Sequence, residues 1–158
     1  MGHRASSTNV LKPGALGLEA MGIDASPRAI RLAERKAEER NLAPRFLVGN
    51  VLELENRPER YDTVLDCGLF HVIDDHDRTS LVKSLRVAIV SGGRYFLLCF
   101  SDQQPGVWGP RRVSRAEIES SFADGRHIES IEPSRLEITL SPDGACAWFA
   151  AIRRSRTT

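Results

Sequence analysis

The chain of 158 residues carries 22 lysines and arginines against 21 acidic residues, so it is nearly neutral and has no general attraction for nucleic acid or anionic membranes. Its length is that of one domain, which buries about 68–70% of the surface of the unfolded chain without metal or disulfide staples. Cys67, Cys99 and Cys146 are far apart and form no CxxC pair, which argues against a zinc site and a disulfide framework. No apolar run reaches membrane-spanning length and the first sixteen residues contain no hydrophobic signal segment, so we expect a cytoplasmic protein.

The first predicted elements are a strand and a helix that meet at Asp24. The stretch GLEAMGIDAS, residues 17–26, is an apolar strand that ends in an acidic residue. Ser26 and Pro27 then predict a helix start, because serine caps the first turn and proline suits the first helical position. Apolar residues at helical spacing follow, opposite a charged face, and the helix is predicted to end near Asn41.

Two short apolar runs, residues 46–48 and 61–67, predict the next strands. A loop with three aspartates, within residues 74–77, then precedes apolar residues at helical spacing over residues 81–89. Acidic side chains suit a helix N-terminus, whose dipole favours negative charge. The Ser-Gly-Gly sequence at residues 91–93 is predicted to end this helix, because glycine adopts the left-handed conformation found beyond a helix terminus.

The apolar run at residues 95–100 lacks alternation, which is typical of a strand covered on both faces in a parallel sheet. A loop rich in proline and glycine follows over residues 101–112. Ser114 and Glu117 form a capping-box pattern, which predicts a short helix over residues 114–122.

The chain is predicted to end in an antiparallel hairpin. Its strands are residues 127–140 and 146–152, and the Ser-Pro-Asp-Gly sequence between them is typical of a turn. The order of elements predicts an α/β fold with a mostly parallel sheet, covered by helices and closed by an antiparallel edge.

Four segments in this order and spacing resemble the class I S-adenosylmethionine-dependent methyltransferases, in particular the small-molecule enzymes of the thiopurine and quinone types. The resemblance covers about Gly17 to Ile152 and includes the closing hairpin, which a dehydrogenase half-domain lacks. It implies a Rossmann-like methyltransferase sheet, S-adenosylmethionine as cofactor and a small-molecule acceptor. The segments are GIDASPRAIRLAERKAEERNL, FLVGNVLEL, YDTVLDCGLFHV and LRVAIVSGGRYFLLCFSD.

The resemblance implies positions for the cofactor at the ends of three strands. Asp24, with Ala25 beside it, matches the acidic residue that takes both ribose hydroxyls; the alternative is a helix-start residue facing solvent. Asn50 and Val51 match the position that meets the adenine, where the family often has aspartate. The alternative for Asn50 is a turn asparagine.

Cys67 and Gly68 match the strand end that runs beside the methionine part of the cofactor, where glycine allows a close backbone approach. The alternative is a turn glycine. His71 lies just beyond and is the candidate base that takes a proton from the acceptor, since its pKa suits work near neutrality; the alternative is a structural histidine.

The loop SDQQPGVWGPRR is predicted to form the acceptor side of the site. Trp108 would supply a flat apolar wall, and Arg111 or Arg112 could hold an anionic acceptor, the alternative being solvated arginines. His76 lies among aspartates, but these acids suit a helix start and we predict no metal site.

The chain departs from the family at its beginning. The family opens with a strand, a loop of the type E/DxGxGxG and a crossover helix, whereas this chain has only MGHRASSTNVLKPGAL before Gly17. Residues 8–11 could form a brief strand, but about six further residues are too few for a parallel crossover, which needs roughly a dozen. Such a short polar start is typical of an altered reading frame or a late start codon.

The missing strand lies centrally in the family's sheet, so its absence would leave two unpaired strand edges. Either the neighbouring strands pair directly, or a second protomer fills or covers the gap as a homodimer, in which elements are swapped or tightly packed. We therefore divide the chain into an irregular segment over residues 1–16, a methyltransferase-like domain over residues 17–152 and a basic tail over residues 153–158.

Three functions remain as hypotheses. The first is an S-adenosylmethionine-dependent methyltransferase, supported by Asp24 and the loops after the later strands, with cofactor affinity reduced or lost. The second is a catalytically silent relative that acts through self-association or partner binding, favoured by the absent glycine loop. The third, dehydrogenase-type nucleotide binding, is disfavoured by the closing hairpin.

Overall fold

The computed structural model describes residue 13, residues 15–139 and residues 141–156. The predicted order of strands and helices is confirmed, with one short 3-10 helix that the sequence did not predict. The elements are β1 (Met21–Asp24), α1 (Pro27–Glu39), β2 (Arg45–Val48), the 3-10 helix (Val51–Asn56), β3 (Tyr61–Cys67), α2 (Asp75–Ala88), β4 (Ile89–Phe100), α3 (Arg115–Ser121), β5 (Arg126–Ile138) and β6 (Ser141–Arg154).

Helix α1 begins and ends as its sequence predicts. Ser26 is the N-cap, its hydroxyl oxygen accepts from the backbone N–H of Ala29 at 3.3 Å, and Pro27 occupies the first helical position. The helix closes where Asn41 takes a positive φ of 54° and the N–H of Leu42 donates to the carbonyl of Ala37 at 2.9 Å.

The strands form two hydrogen-bonded sheets among the described residues. Strands β1 and β2 pair in parallel, with Met21 opposite Arg45. The larger sheet has the order β3-β4-β6-β5, in which β3 and β4 are parallel while β6 is antiparallel to both β4 and β5. The predicted combination of a mostly parallel core and a C-terminal antiparallel hairpin is therefore confirmed.

Strands β1 and β3 belong to different sheets, so the first of the two predicted alternatives, direct pairing of these neighbours, is wrong for the described part of the chain. Side-chain packing joins the two sheets instead: Ile23 of β1 and Val51 pack against the large core. The carbonyl of Val51 also accepts from the Ser84 hydroxyl of α2 at 2.9 Å. These contacts hold the β1–β2 pair without a backbone ladder to β3.

The segment predicted as irregular, residues 1–16, lies mostly outside the described residues, and so do residues 8–11. Its described end is helical rather than irregular, since Pro13 and Ala15 are in a helical turn. The N–H of Leu18 donates to the carbonyl of Pro13 at 3.2 Å, and Gly17 has a φ of 74°. These are features of a glycine helix cap that leads into β1.

Two predicted glycine turns have different roles. Helix α2 ends at Ala88 and β4 begins at once, so Gly92 and Gly93 lie in an irregular part of β4. A Cβ on Gly93 would stand 2.7 Å from the carbonyl oxygen of Asp62, so only glycine permits this close approach of β3. Likewise, the Pro-Asp-Gly sequence lies within β6, because the hairpin turns between Ile138 and Ser141.

The main core lies between the larger sheet and helices α2 and α3. An aromatic cluster marks its centre, where the ring of Phe122 is 5.8 Å from that of Phe70 and 5.4 Å from that of Tyr95. Other fully buried members come from α2, α3 and the two central strands: Leu81, Leu85, Ile118, Leu97, Ala150 and Ile152. Among the described residues, no helix has the length and apolar character needed to cross a membrane.

Candidate active site

Asp24 ends β1, and Asn50 follows the carboxyl end of β2, the strand paired with β1. The N–H of Gly49 donates to the carbonyl of Asp24 at 3.0 Å, which holds the two strand ends together. One carboxylate oxygen of Asp24 accepts from the N–H of Ser26 at 2.8 Å. The Asp24 side chain is partly exposed and Ala25 is exposed, so a ligand at this edge can reach both.

Asn50 has a local structural role, which agrees with the alternative prediction of a turn asparagine. It is the N-cap of the 3-10 helix, its side-chain oxygen accepts from the N–H of Leu52 at 3.0 Å, and its amide donates to Glu53 at 3.1 Å. This geometry favours a turn asparagine. Val51 is half-buried, and its carbonyl accepts from the Ser84 hydroxyl, so its backbone is fixed at the start of the 3-10 helix.

The chain turns sharply at Gly68 after β3 ends at Cys67. Gly68 has a φ of 97°, which an L-residue with a side chain rarely adopts, and its N–H donates to the carbonyl of Leu98 on β4 at 3.0 Å. The next N–H, that of Leu69, donates to the carboxylate of Asp66 at 2.8 Å. Residues 67–69 are thus held close to the carboxyl end of β4.

His71 lies in the interior with only 1% of its surface exposed. Its Nδ1 accepts from the backbone N–H of Phe100 at 2.9 Å, and the two rings meet edge to face at 6.1 Å. Because Nδ1 already accepts a hydrogen bond, that nitrogen is not protonated here. The position favours a structural histidine that ties the segment after β3 to the end of β4.

Trp108 lies beside Phe100 with ring centroids 5.7 Å apart, and 39% of its surface is exposed. It can therefore present a flat apolar wall at the end of β4. The Arg112 guanidinium lies over the Phe100 ring, 5.2 Å from its centre, and donates to the carbonyl of Gly106. The guanidinium of Arg112 therefore braces the loop.

Arg111 is engaged by two carboxylates. It donates to Asp75 at 2.6 Å and to Glu117 at 2.7 Å, linking the starts of α2 and α3. The hydrogen bond that Arg111 donates to Asp75 is the largest influence that raises the pKa of Arg111. Burial raises the pKa of Glu117, but its hydrogen bonds with Ser114 and Arg111 outweigh this and lower it. Arg111 thus acts as a structural bridge in this geometry.

Two buried charged residues that sequence analysis did not single out support the site. Arg78 has a side chain only 5% exposed; its Nε donates to the carbonyl of Phe70 at 2.9 Å and its Nη1 to Glu117 at 3.2 Å. Burial, followed by the neighbouring Arg111, lowers the pKa of Arg78. Asp66 is also buried, and burial raises its pKa. The only signal in the sequence was that Asp66 interrupts an apolar run.

The strand order, the closing antiparallel hairpin and the carboxylate at the end of β1 define a Rossmann-like, class I S-adenosylmethionine-dependent methyltransferase fold. Comparison with family models agrees: residues 6–93, more than half of the chain, match the methyltransferase domain family. The chain belongs to this family.

Two curated relatives act on small molecules. The chain is 31% identical over 142 residues to 2-heptyl-1-hydroxyquinolin-4(1H)-one methyltransferase of Mycobacteroides abscessus, a match that covers 87% of this chain and 63% of that protein. It is 34% identical over 100 residues to demethylmenaquinone methyltransferase of Thermus thermophilus, covering 63% of this chain and 44% of that one. The chain therefore spans less than two thirds of either relative.

Solved structures share the fold of this chain. A structure from a study of the conversion of a disulfide bond into a thioacetal group in echinomycin biosynthesis superposes with a TM-score of 0.80 at 28% identity, covering 94% of this chain and 71% of that one. A methyltransferase from Methanosarcina mazei gives a TM-score of 0.79 at 15% identity, covering 93% of this chain and 87% of the other.

Proposed function

We propose that this protein transfers a methyl group from S-adenosylmethionine to a small-molecule acceptor. The observation that carries the proposal is the position of Asp24, a partly exposed carboxylate at the carboxyl end of β1. In open α/β sheets ligands bind at this end of the strands, and a carboxylate can accept both hydroxyls of a ribose. The site residues present therefore fit the ribose of the cofactor.

The remaining cofactor contacts would come from the neighbouring strand ends. Asn50 and Val51 follow the end of β2, the strand paired with β1, and would border the adenine, although the Asn50 side-chain oxygen already caps the 3-10 helix. Cys67 and Gly68 would border the methionine part with their backbone, which the bond from Gly68 to Leu98 holds in place. We expect weak affinity if these contacts act without a glycine-rich loop.

S-adenosylmethionine, when bound, supplies an electrophilic methyl group on a sulfonium. Its displacement by an acceptor nucleophile is in line, so holding the two reactants aligned provides most of the acceleration. The residues of this chain that would align the acceptor lie at the end of β4, where Trp108 presents its ring. The internal hydrogen bonds of His71 and Arg111 leave Trp108 as the best-supported acceptor residue.

A planar aromatic acceptor suits this surface, because offset or edge-on packing against an indole stabilises flat rings. The names of the two curated relatives point the same way, since one acts on a hydroxyquinolone and the other on demethylmenaquinone. We therefore propose an aromatic ring that carries a nucleophilic atom as the acceptor class.

Isothermal titration with S-adenosylhomocysteine tests the proposal. We expect saturable heat at a stoichiometry of one per chain, in protein whose oligomeric state light scattering has established. No heat at millimolar ligand would refute the proposed activity. Inclusion of a hydroxyquinolone with S-adenosylmethionine, followed by mass spectrometry for a product heavier by one methyl group, then tests the acceptor.

A second candidate function is catalytically silent self-association, as a homodimer. The observation that favours it is that β1 and β3 are not paired with each other, so each has a ladder edge available for a second protomer unless other residues of the chain occupy it. Leu65 of β3 is also 50% exposed. A dimeric mass in light scattering, lost in a Leu65→Lys variant, supports this candidate, and a monomeric mass at all concentrations refutes it.

We propose a reducing cytoplasmic location for the protein. Cys99 is fully buried, and burial raises the pKa of its thiol to about 12, so this thiol is inert in the folded protein. Fractionation of cells that produce the tagged chain would test the location.

A further inference from the structure

We propose that Asp66 and Tyr95 are positioning residues that hold the turn after β3 in shape for the cofactor, an inference that rests on the proposed function. Asp66 is the penultimate residue of β3, and both its carboxylate oxygens are engaged. One accepts from the N–H of Leu69 at 2.8 Å and the other from the hydroxyl of Tyr95 on β4 at 2.6 Å. We call this pair, with the Leu69 bond, the Asp66 clamp.

The clamp buries an ionisable carboxyl group at a position where burial of an apolar side chain would cost less free energy. Asp66 is 9% exposed and Tyr95 is 2% exposed, and Tyr95 belongs to the main core. Burial raises the pKa of Asp66, and burial together with the Asp66 charge raises that of Tyr95 well above its usual range. A buried carboxylate is costly unless its hydrogen bonds are satisfied, so its presence here points to a role beyond packing.

The geometry of the turn identifies that role. Three consecutive residues each have one backbone polar atom held: the N–H of Gly68 by Leu98, the N–H of Leu69 by the clamp, and the carbonyl of Phe70 by Arg78. Gly68 has a φ of 97°. Glycine adopts many backbone conformations with similar ease, so Gly68 by itself does not hold the chain in this one. Such restraint reduces the ordering cost when a ligand binds.

The clamp acts on the turn from inside the core. Both of its side chains are buried, so neither is a candidate for contact with the methyl group or the acceptor. Its loss is therefore expected to weaken cofactor affinity through the backbone of residues 67–69. The conservative variant Asp66→Asn keeps an oxygen for the Leu69 N–H, and the Tyr95 hydroxyl can rotate to accept from the new amide.

The experiment titrates S-adenosylhomocysteine into the full chain and four variants, well below each thermal midpoint. We expect Asp66→Ala to raise the Kd about tenfold, as loss of one hydrogen bond to a charged group implies, and Asp66→Asn to restore it to within about threefold. Tyr95→Phe is the milder variant and keeps the test possible if Asp66→Ala does not fold. It is expected to raise the Kd about threefold. Ile131→Val, a buried change on β5, is the control for lost stability and should leave the Kd unchanged.

Hydrogen exchange provides a second readout, measured without ligand. The Leu69 amide is expected to lose protection in Asp66→Ala and to keep it in Ile131→Val. An unchanged Kd in Asp66→Ala, or an equal rise in Ile131→Val, would overturn the clamp alone while the wild type still binds. Absence of binding by the wild type would instead refute the proposed function, together with the cofactor role of the clamp.

Discussion

An Asp24→Ala variant is expected to bind S-adenosylhomocysteine about 100-fold more weakly than the wild type. The carboxylate at the end of β1 would accept both ribose hydroxyls, and hydrogen bonds to a charged group contribute about 1.5–3 kcal/mol each. The Asp24 carboxylate also has a structural role at the start of α1, because it accepts from the N–H of Ser26 at 2.8 Å. Isothermal titration measures the affinity, and thermal unfolding measures the structural cost.

Two variants separate the ligand effect from the helix-start effect. Ser26→Ala removes the N-cap of α1 and is expected to cost about 1 kcal/mol of stability while leaving the Kd nearly unchanged. Glu39→Ala removes an exposed carboxylate at the other end of α1 and controls for net charge. If Ser26→Ala weakens binding as much as Asp24→Ala, the ribose role of Asp24 is wrong.

Replacing Arg78 by alanine is expected to lower the free energy of unfolding by about 2–4 kcal/mol, because a buried carbonyl loses its donor and a half-exposed carboxylate loses one hydrogen bond. The variant leaves the carbonyl of Phe70 without its donor and removes a guanidinium that lies 4.4 Å from the centre of the Phe70 ring. It also takes one of two arginine partners from Glu117. Urea denaturation at neutral pH measures the loss.

The matched control is Arg86→Ala, which breaks an ion pair with Asp124 at the surface. The two side chains of that pair are 57% and 91% exposed, so we expect a change of about 0–1 kcal/mol. Arg78→Met adds a test of packing, since it restores apolar volume without the donors. Equal midpoints for the Arg78→Ala and Arg86→Ala variants would show that the buried arginine does not hold the turn after β3.

Local signals predicted most of the elements because they act within a few residues. Two helix starts are predicted from sequence alone, one by Ser26 with Pro27 and one by Ser114 with Glu117. Both caps are formed as predicted. Glycine residues predicted turns less reliably. Gly93 and Gly144 looked like turn residues but lie within strands, because a close backbone approach and a positive φ require glycine for reasons that depend on the neighbouring strand.

The candidate site shows the same division between local and tertiary information. Asp24 could be proposed from its place after an apolar strand, but the internal hydrogen bond of His71 to Phe100 joins residues 29 positions apart. The pairing of Arg111 with Asp75 is equally remote in the chain. No local sequence pattern distinguishes such structural side chains from catalytic ones, because their hydrogen-bond partners are remote in the sequence and come close only in the folded chain.

Patterns within the chain were enough to predict the class of fold, the order of the strands and helices, and the acidic residue at the end of β1. These properties follow from hydrophobic periodicity and capping, which are encoded in neighbouring residues. Three further features became visible in the folded chain: in its described part β1 and β3 are not paired with each other, His71 is buried, and Asp66 and Arg78 hold the turn after β3. Burial and long-range hydrogen bonds decide the role of a charged side chain, and both exist only once distant segments have packed together.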